Sequence, residues 1–179
     1  MISGFWIGQE EQNMKRVIAT IALVVSLVAG AFAVGTVTSN DYNIGELAPG
    51  KKMEAKGFVI NGAQKGAVIE DKTKDPIKIG DKSFDKRIKM KGADAFIEFD
   101  VKAGDIISVI ATSSSKEIPR AIRIINEGNK IGDIAAPVWN VKKLSVSQGT
   151  VTAVKDGKCL VRGFGGGVYI FAVETKRGN

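Results

Sequence analysis

Two short basic strings supply the groups best suited to gripping an anion. Residues 83–90 read SFDKRIKM and place Lys86, Arg87 and Lys89 within one strand length. Residues 120–125 read RAIRII and add Arg120 and Arg123. A guanidinium can clamp a carboxylate through two parallel N–H bonds, whereas an ammonium acts as a point charge. Side chains alternate along a strand. If Phe84, Ile88 and Met90 face inward, Asp85, Arg87 and Lys89 face out, and Lys86 must snorkel or sit at a sheet edge.

The acidic groups offer a competing account of the same cations. Glu98 and Asp100 share one strand face and can pair across strands with Arg87 and Lys89. Such pairs stabilise a sheet by roughly 0.2–1 kcal/mol each. Same-face neighbours on a strand lie about 6.5–7 Å apart, so this pair also has the spacing of a glycosidase carboxylate couple. Carboxylates exposed on strands are, however, usually solvated or salt-bridged, and no enzyme is expected. Asp71, Asp75 and Asp81 could lend oxygens to a structural calcium ion. Lysines at 72, 74, 78 and 82 oppose it, and no other cofactor is expected.

Composition removes several chemistries. The 179 residues include no histidine, so a Ser-His-Asp or Cys-His triad and histidine metal sites are excluded. The single cysteine, Cys159, can form no intrachain disulfide and reads as a buried, inert thiol. The formal net charge of +7 favours an anionic partner or simply solubility.

The elements that must position these groups are short strands. Apolar residues make up 44% and charged residues 25% of the chain, as in globular proteins, and 21 glycines suit frequent turns. From residue 44 onward, roughly nine to eleven short strands follow one another with turn signals about every 8–12 residues, which predicts an all-β, antiparallel, jelly-roll-like sandwich. Residues 106–111 are apolar enough for a central strand. Asn61-Gly62 predicts a turn from residues 53–60 to 66–70, and Glu127-Gly128-Asn129 one from 120–125 to 130–134. Asp156-Gly157 is expected to join residues 150–155 to 158–162 as a hairpin. Gly165, Gly166 and Gly167 feed a closing strand, and the absence of a following helix rules out a P-loop.

The N-terminus reads as an address. Lys15 and Arg16 precede an apolar run and the small-x-small triplet Ala31-Phe32-Ala33, as in a secretory signal peptide over residues 14–33. The apolar run, about 18 residues, also sits at the lower limit for a membrane anchor. Residues 1–13 fit an early start codon, residues 34–43 a flexible leader, 44–175 the β-sandwich and 176–179 a tail. The expected location is secreted, periplasmic or at the cell surface, with no membrane attachment after cleavage.

Taken in order, SFDKRIKMKGADAFIEFDVKAGDIISVIATSSS, RAIRIINEGNKIG and GGGVYIFAVE resemble the small β-sandwich module appended to bacterial pectate lyases and related secreted polysaccharide-degrading enzymes. The resemblance spans residues 42–175, with Tyr169 standing where that family usually has a polar residue. It implies a non-catalytic carbohydrate-binding module for acidic polysaccharide such as pectin or homogalacturonan. Arg87 and Lys89 match the family's R-x-K, Arg120 its strand arginine and Lys86 its Lys/Gln position; Arg123 joins them as ligand-binding residues on one sheet face. Trp139 and Tyr169 are the best candidate sugar platforms, and so few exposed aromatics favour an acidic ligand over a neutral one. Export and the same scarcity count against nucleic acid. The alternative is an extracellular or envelope structural subunit assembling through strand edges. Oligomeric state is left open.

Overall fold

The computed structural model describes residues 34–140 and 146–178. The signal peptide, the segment before it and the start of the strand expected over 141–146 lie outside these residues.

The β domain is an antiparallel sandwich of two sheets with a small two-stranded flap. Sheet A runs β13 (Ser147–Thr152), β10 (Ile106–Ser113), β15 (Val168–Lys176), β8 (Lys86–Met90), β5 (Ala67–Asp71), β2 (Gly45–Leu47). β1 (Gly35–Thr38) also joins it, pairing with the far half of β15. Sheet B runs β12 (Asn129–Ala136), β11 (Arg120–Asn126), β14 (Gly157–Phe164), β9 (Phe96–Val101), β4 (Phe58–Asn61), β3 (Lys52–Ala55). β6 (Ile77–Ile79) and β7 (Lys82–Phe84) form the flap. The described residues therefore hold fifteen strands, more than expected, because several are only three or four residues long.

The alternation of apolar residues decides which faces meet. Ile97, Phe99 and Val101 of β9 point inward with Ile122 and Ile124 of β11 and Cys159 and Val161 of β14, while Phe96, Glu98 and Asp100 point out. From the facing sheet come Ile69, Ile88, Met90, Ile107, Val109, Ile170 and Val173. Phe58 and Phe99 touch at 4.8 Å between centroids, within the tilted-pair range. Burial pushes the Cys159 thiol up to about 12, leaving it protonated within the core.

Two expected pairings differ. β13 and β14 flank Asp156-Gly157 yet lie in different sheets, β13 on β10 and β14 between β11 and β9. β4 and β5 likewise part across Asn61-Gly62: β4 lies between β3 and β9, and β5 pairs with β2 and β8. A turn dipeptide reverses the chain but does not decide whether it returns to the same sheet or crosses to the other. The β11–β12 hairpin is as expected, with Glu127 and Gly128 at φ 48° and 76° in the left-handed region that primed turns require.

Residues 34–43 are not a loose leader. They carry β1 and a 3-10 turn, Ser39–Asp41, and bury Val37 and Tyr42, whose hydroxyl donates to the Phe58 carbonyl at 3.1 Å. At the other end β15 includes Lys176, and Arg177 bonds the fully buried Asp105 at 2.9 Å, so the expected tail is partly structural.

β10 is central as expected, lying between β13 and β15. The glycines before β15 have a specific use. Gly166 sits at φ 148°, and a Cβ there would come within 2.4 Å of the Arg120 guanidinium. A Cβ on Gly167 would meet the Met90 carbonyl oxygen at 2.8 Å. Bare backbone at these two positions lets the chain cross between sheets beneath an arginine.

Candidate functional site

A cleft opens on the outer face of sheet A. Register sets its floor: Glu70 of β5 stands opposite Arg87 of β8, and Lys89 opposite Tyr169 of β15. Tyr169 and Phe171 of β15, Phe84 and Ile77 of the flap, and Ile110 of β10 form a second apolar cluster on this face. Phe84 thus belongs to the flap's cluster rather than to the core shared with Ile88 and Met90, because the strand breaks at Asp85.

Trp139 closes one side. Its backbone N–H donates to the Ser115 carbonyl at 2.8 Å, and two residues earlier the Pro137 carbonyl accepts from Ser113 N–H (2.8 Å) and Thr112 Oγ1 (2.6 Å). Those bonds strap the segment across the end of β10. The indole stands edge-on to Tyr169 at 5.2 Å and stacks over Phe171 at 6.5 Å.

Arg87 lies between these rings. It is only 9% exposed, with its guanidinium carbon 3.9 Å from the Tyr169 ring centre and 4.7 Å from that of Trp139. Its Nε donates to Glu70 Oε2 at 2.5 Å. A guanidinium held by rings and a carboxylate tolerates burial because both compensate its lost hydration. Burial also pushes the Tyr169 hydroxyl above its ordinary pKa.

The cleft measures about 270 Å³. Arg87 and Trp139 form one wall and the flap's approach forms the other, with Lys72 and Lys78 as cations, Asp75 as an acid and Ile77 as an apolar patch. Its volume is just under the usual range for small-molecule pockets, about 300–1,000 Å³, which suits a part of a larger chain. Lys72 and Lys78, beside an indole and an arginine already bonded to Glu70, can hold an anionic group and stack a ring next to it.

The five expected ligand-binding residues do not share a sheet face. Lys86, Arg87 and Lys89 belong to sheet A, and Arg120 and Arg123 to sheet B, because the chain changes sheets between β8 and β11. Arg87 lines the cleft. Lys89 Nζ lies 3.7 Å from Glu70. Lys86, on the inward parity, donates to the carbonyls of Asn40 (3.0 Å) and Tyr42 (2.6 Å). Arg120 rests on Gly165 and Gly166. Arg123 clasps Asp133 through Nε (2.9 Å) and Nη2 (3.1 Å). Glu98 and Asp100 pair with Lys158 at 3.8 and 3.0 Å, not with Arg87 and Lys89.

In the sequence Lys72 and Lys78 stand out only as obstacles to calcium. The signal for them was there: lysines flanking the Asp75-Pro76 turn of a short apolar flap. Among the described residues no three acidic or sulfur ligands gather as a metal site would need, and Asp71 is taken by the Thr73 amide at 2.8 Å and the Thr73 hydroxyl at 2.5 Å.

Fold and cleft together define the class: an all-β antiparallel sandwich with a basic, aromatic-walled cleft on one outer face. No protein-family model matches the sequence, and no curated protein matches it. Among solved structures, the chain is similar to a carbohydrate-binding module, CBM36, in complex with calcium and xylotriose, at 14% identity and TM-score 0.44, covering 79% of this chain and 98% of that one. It is also similar to the CBM6cm-2 module of Cellvibrio mixtus lichenase 5A in complex with cellotriose, at 12% identity and TM-score 0.47 over 83% and 100%. A third is the C-terminal CBM6 of the laminarinase LamC from Zobellia galactanivorans, at 10% identity and TM-score 0.45 over 75% and 100%.

Proposed function

We propose that this protein is an exported, non-catalytic carbohydrate-binding module for acidic polysaccharide, with homogalacturonan stretches of pectin as the ligand. One observation carries the reading: the cleft on sheet A combines an indole wall with Arg87, Lys72 and Lys78. A galacturonate unit presents a carboxylate and an apolar ring face together. Trp139 takes the ring face, Lys72 and Lys78 take the charge, and Arg87, its Nε already on Glu70, lends only its remaining N–H groups. Lys89 and Lys86 support the strand that carries Arg87, and the pectate-lyase-module resemblance of this same strand agrees with the assignment.

Affinity electrophoresis in gels containing polygalacturonate tests it. The protein should be retarded at low salt, less so at high salt, and Trp139→Ala should reduce the apparent affinity about tenfold. Migration unchanged by the polymer would end the reading, as would release of sugar products from it.

A further inference from the structure

The outer face of sheet B carries a charge that the protein leaves unanswered. Register lays out one row across it: Asp133, Arg123, Arg162, Phe96 and Asn61, each opposite the next. Two guanidiniums therefore stand directly opposite each other, an arrangement that destabilises a sheet unless something offsets it. Arg123 is offset, clasping Asp133 and lying 3.4 Å over the Phe164 ring. Arg162 is not. Its strand neighbours are Arg123 and Phe96, and its Nε is buried with no hydrogen-bond partner among the described residues. Glu98, an acid diagonal to it on β9, lies 3.8 Å from Lys158. Buried guanidinium N–H groups are normally bonded, and one that is not calls for a reason. Around it the face meets solvent, with Phe164 45% exposed and Phe96 half-buried.

We propose that Arg162, with Arg123 beside it, forms a second glycan site that takes a carboxylate of an acidic polysaccharide between the rings of Phe96 and Phe164. The proposal rests on the reading of the protein as a binder of acidic polysaccharide, but uses no residue of the sheet A cleft. Among the described residues Arg162 Nε has no hydrogen bond to break, so rotation of its terminal torsions can bring the guanidinium toward an arriving carboxylate. The carboxylate answers both the unbonded Nε side of the guanidinium and the repulsion from Arg123. The two sites lie on opposite faces of the sandwich, so one domain would engage a polymer at two points or bridge two chains, and gain avidity without tighter individual contacts.

Titration calorimetry with trigalacturonate tests this on the whole protein, using Arg162→Met, Trp139→Ala and the double variant. Wild type should take two ligands per chain, each single variant one, and the double variant none. The methyl-esterified trisaccharide should not bind the sheet B site. Arg162→Met should melt no lower than wild type, since the Nε it removes makes no bond among the described residues. Unchanged stoichiometry and affinity in Arg162→Met would overturn the site, as would a melting temperature well below wild type, which would make the guanidinium structural. Retained binding of the ester at that site would overturn the carboxylate assignment. If Arg162→Met abolishes all binding while Trp139→Ala changes nothing, the second site stands and the cleft reading falls. If Trp139→Ala alone abolishes all binding, the reverse holds. If wild type binds nothing, both fall.

Discussion

Arg87 and Arg162 occupy comparable positions, each pointing outward from an interior strand of its own sheet, yet the protein treats them differently. Arg87 is roofed by Trp139, floored by Tyr169 and neutralised by Glu70. Arg162 faces a second arginine and a phenylalanine, and its Nε has no acceptor among the described residues. The difference lies above the sheets. Over sheet A, the flap and the segment of Trp139 add a second apolar cluster, and a charge beneath such a cover must be paired. Sheet B has an open outer face, where a cation can be left for a ligand to pair.

Removing Glu70 should break the comparison most severely. Glu70→Ala leaves Arg87 covered and without its carboxylate, and strips Lys89 of its partner as well. The Glu70 side chain is 22% exposed, which tempers the cost of breaking a fully buried pair. A loss of about 2–3 kcal/mol is expected from urea unfolding. A loss below about 0.5 kcal/mol would mean that the rings alone suffice to hold the guanidinium, and the contrast with Arg162 would lose its basis.

Gly166→Ala comes next and probes a third arginine. Arg120 also has a buried, unbonded Nε, but it lies on glycine backbone instead of facing a neighbouring arginine. The substitution imposes a side chain at φ 148° and pushes against the guanidinium. About 1–3 kcal/mol of destabilisation is expected in the same measurement. Arg120→Ala should cost less, because it empties the seat without straining the backbone. If Arg120→Ala costs more than Gly166→Ala, the glycines do not exist to seat the arginine.

How much of this could be read from the sequence follows the range of the interactions. The all-β class and the outward parity of Arg87, Lys89, Glu98 and Asp100 come from period-two alternation, a local signal. The Glu127-Gly128 turn is local as well, set by turn-forming residues. Sheet membership is not: β4 and β5, or β13 and β14, are separated by good turn residues but part to opposite sheets, and only packing decides that. The same limit placed Arg123 with Arg87, though the two lie on different sheets. Pairing of the basic residues with acids was anticipated in kind, but the partners are Glu70 and Asp133, found through register. Arg162 carries no such signal, because its unbonded Nε opposite a second arginine is a relation that no stretch of sequence displays. The order within residues 34–43 was hidden for a related reason, since Val37 and Tyr42 are too few to make a periodic pattern.

Asp133 allows the open face to be sharpened by pH. The Arg123 guanidinium bonded to Asp133 holds its carboxyl below the usual carboxylate range. A group whose folded pKa is depressed contributes stability above its unfolded pKa, and that contribution is lost as pH falls through the folded value. The difference in urea midpoint between wild type and Asp133→Asn should therefore be present at neutral pH and shrink below about pH 4. A difference that persists at lower pH would assign the effect to shape rather than charge. Asp133→Asn also releases Arg123 beside Arg162, so carboxylate affinity on this face should rise, or at least not fall.

The smallest effect is expected at Lys158, also on this face. Its ammonium lies 3.0 Å from Asp100 and 3.8 Å from Glu98, and the bond to Asp100 raises its pKa. The side chain is 55% exposed, so water and salt screen most of that attraction. Lys158→Met should cost about 0.2–1 kcal/mol at low ionic strength and almost nothing in 1 M salt, by urea unfolding in each. For a raised folded pKa the contribution is complete below the unfolded lysine value and fades as pH climbs through the folded one, so neutral buffer shows all of it. The variant also frees Glu98, the acid diagonal to Arg162. If Glu98 then turns to Arg162, carboxylate binding on this face should weaken although Lys158 touches no ligand. Lys158 would thus keep a competing internal acid away from the arginine, a role that its small stability effect conceals. Unchanged affinity in Lys158→Met would show that Glu98 cannot reach across the diagonal.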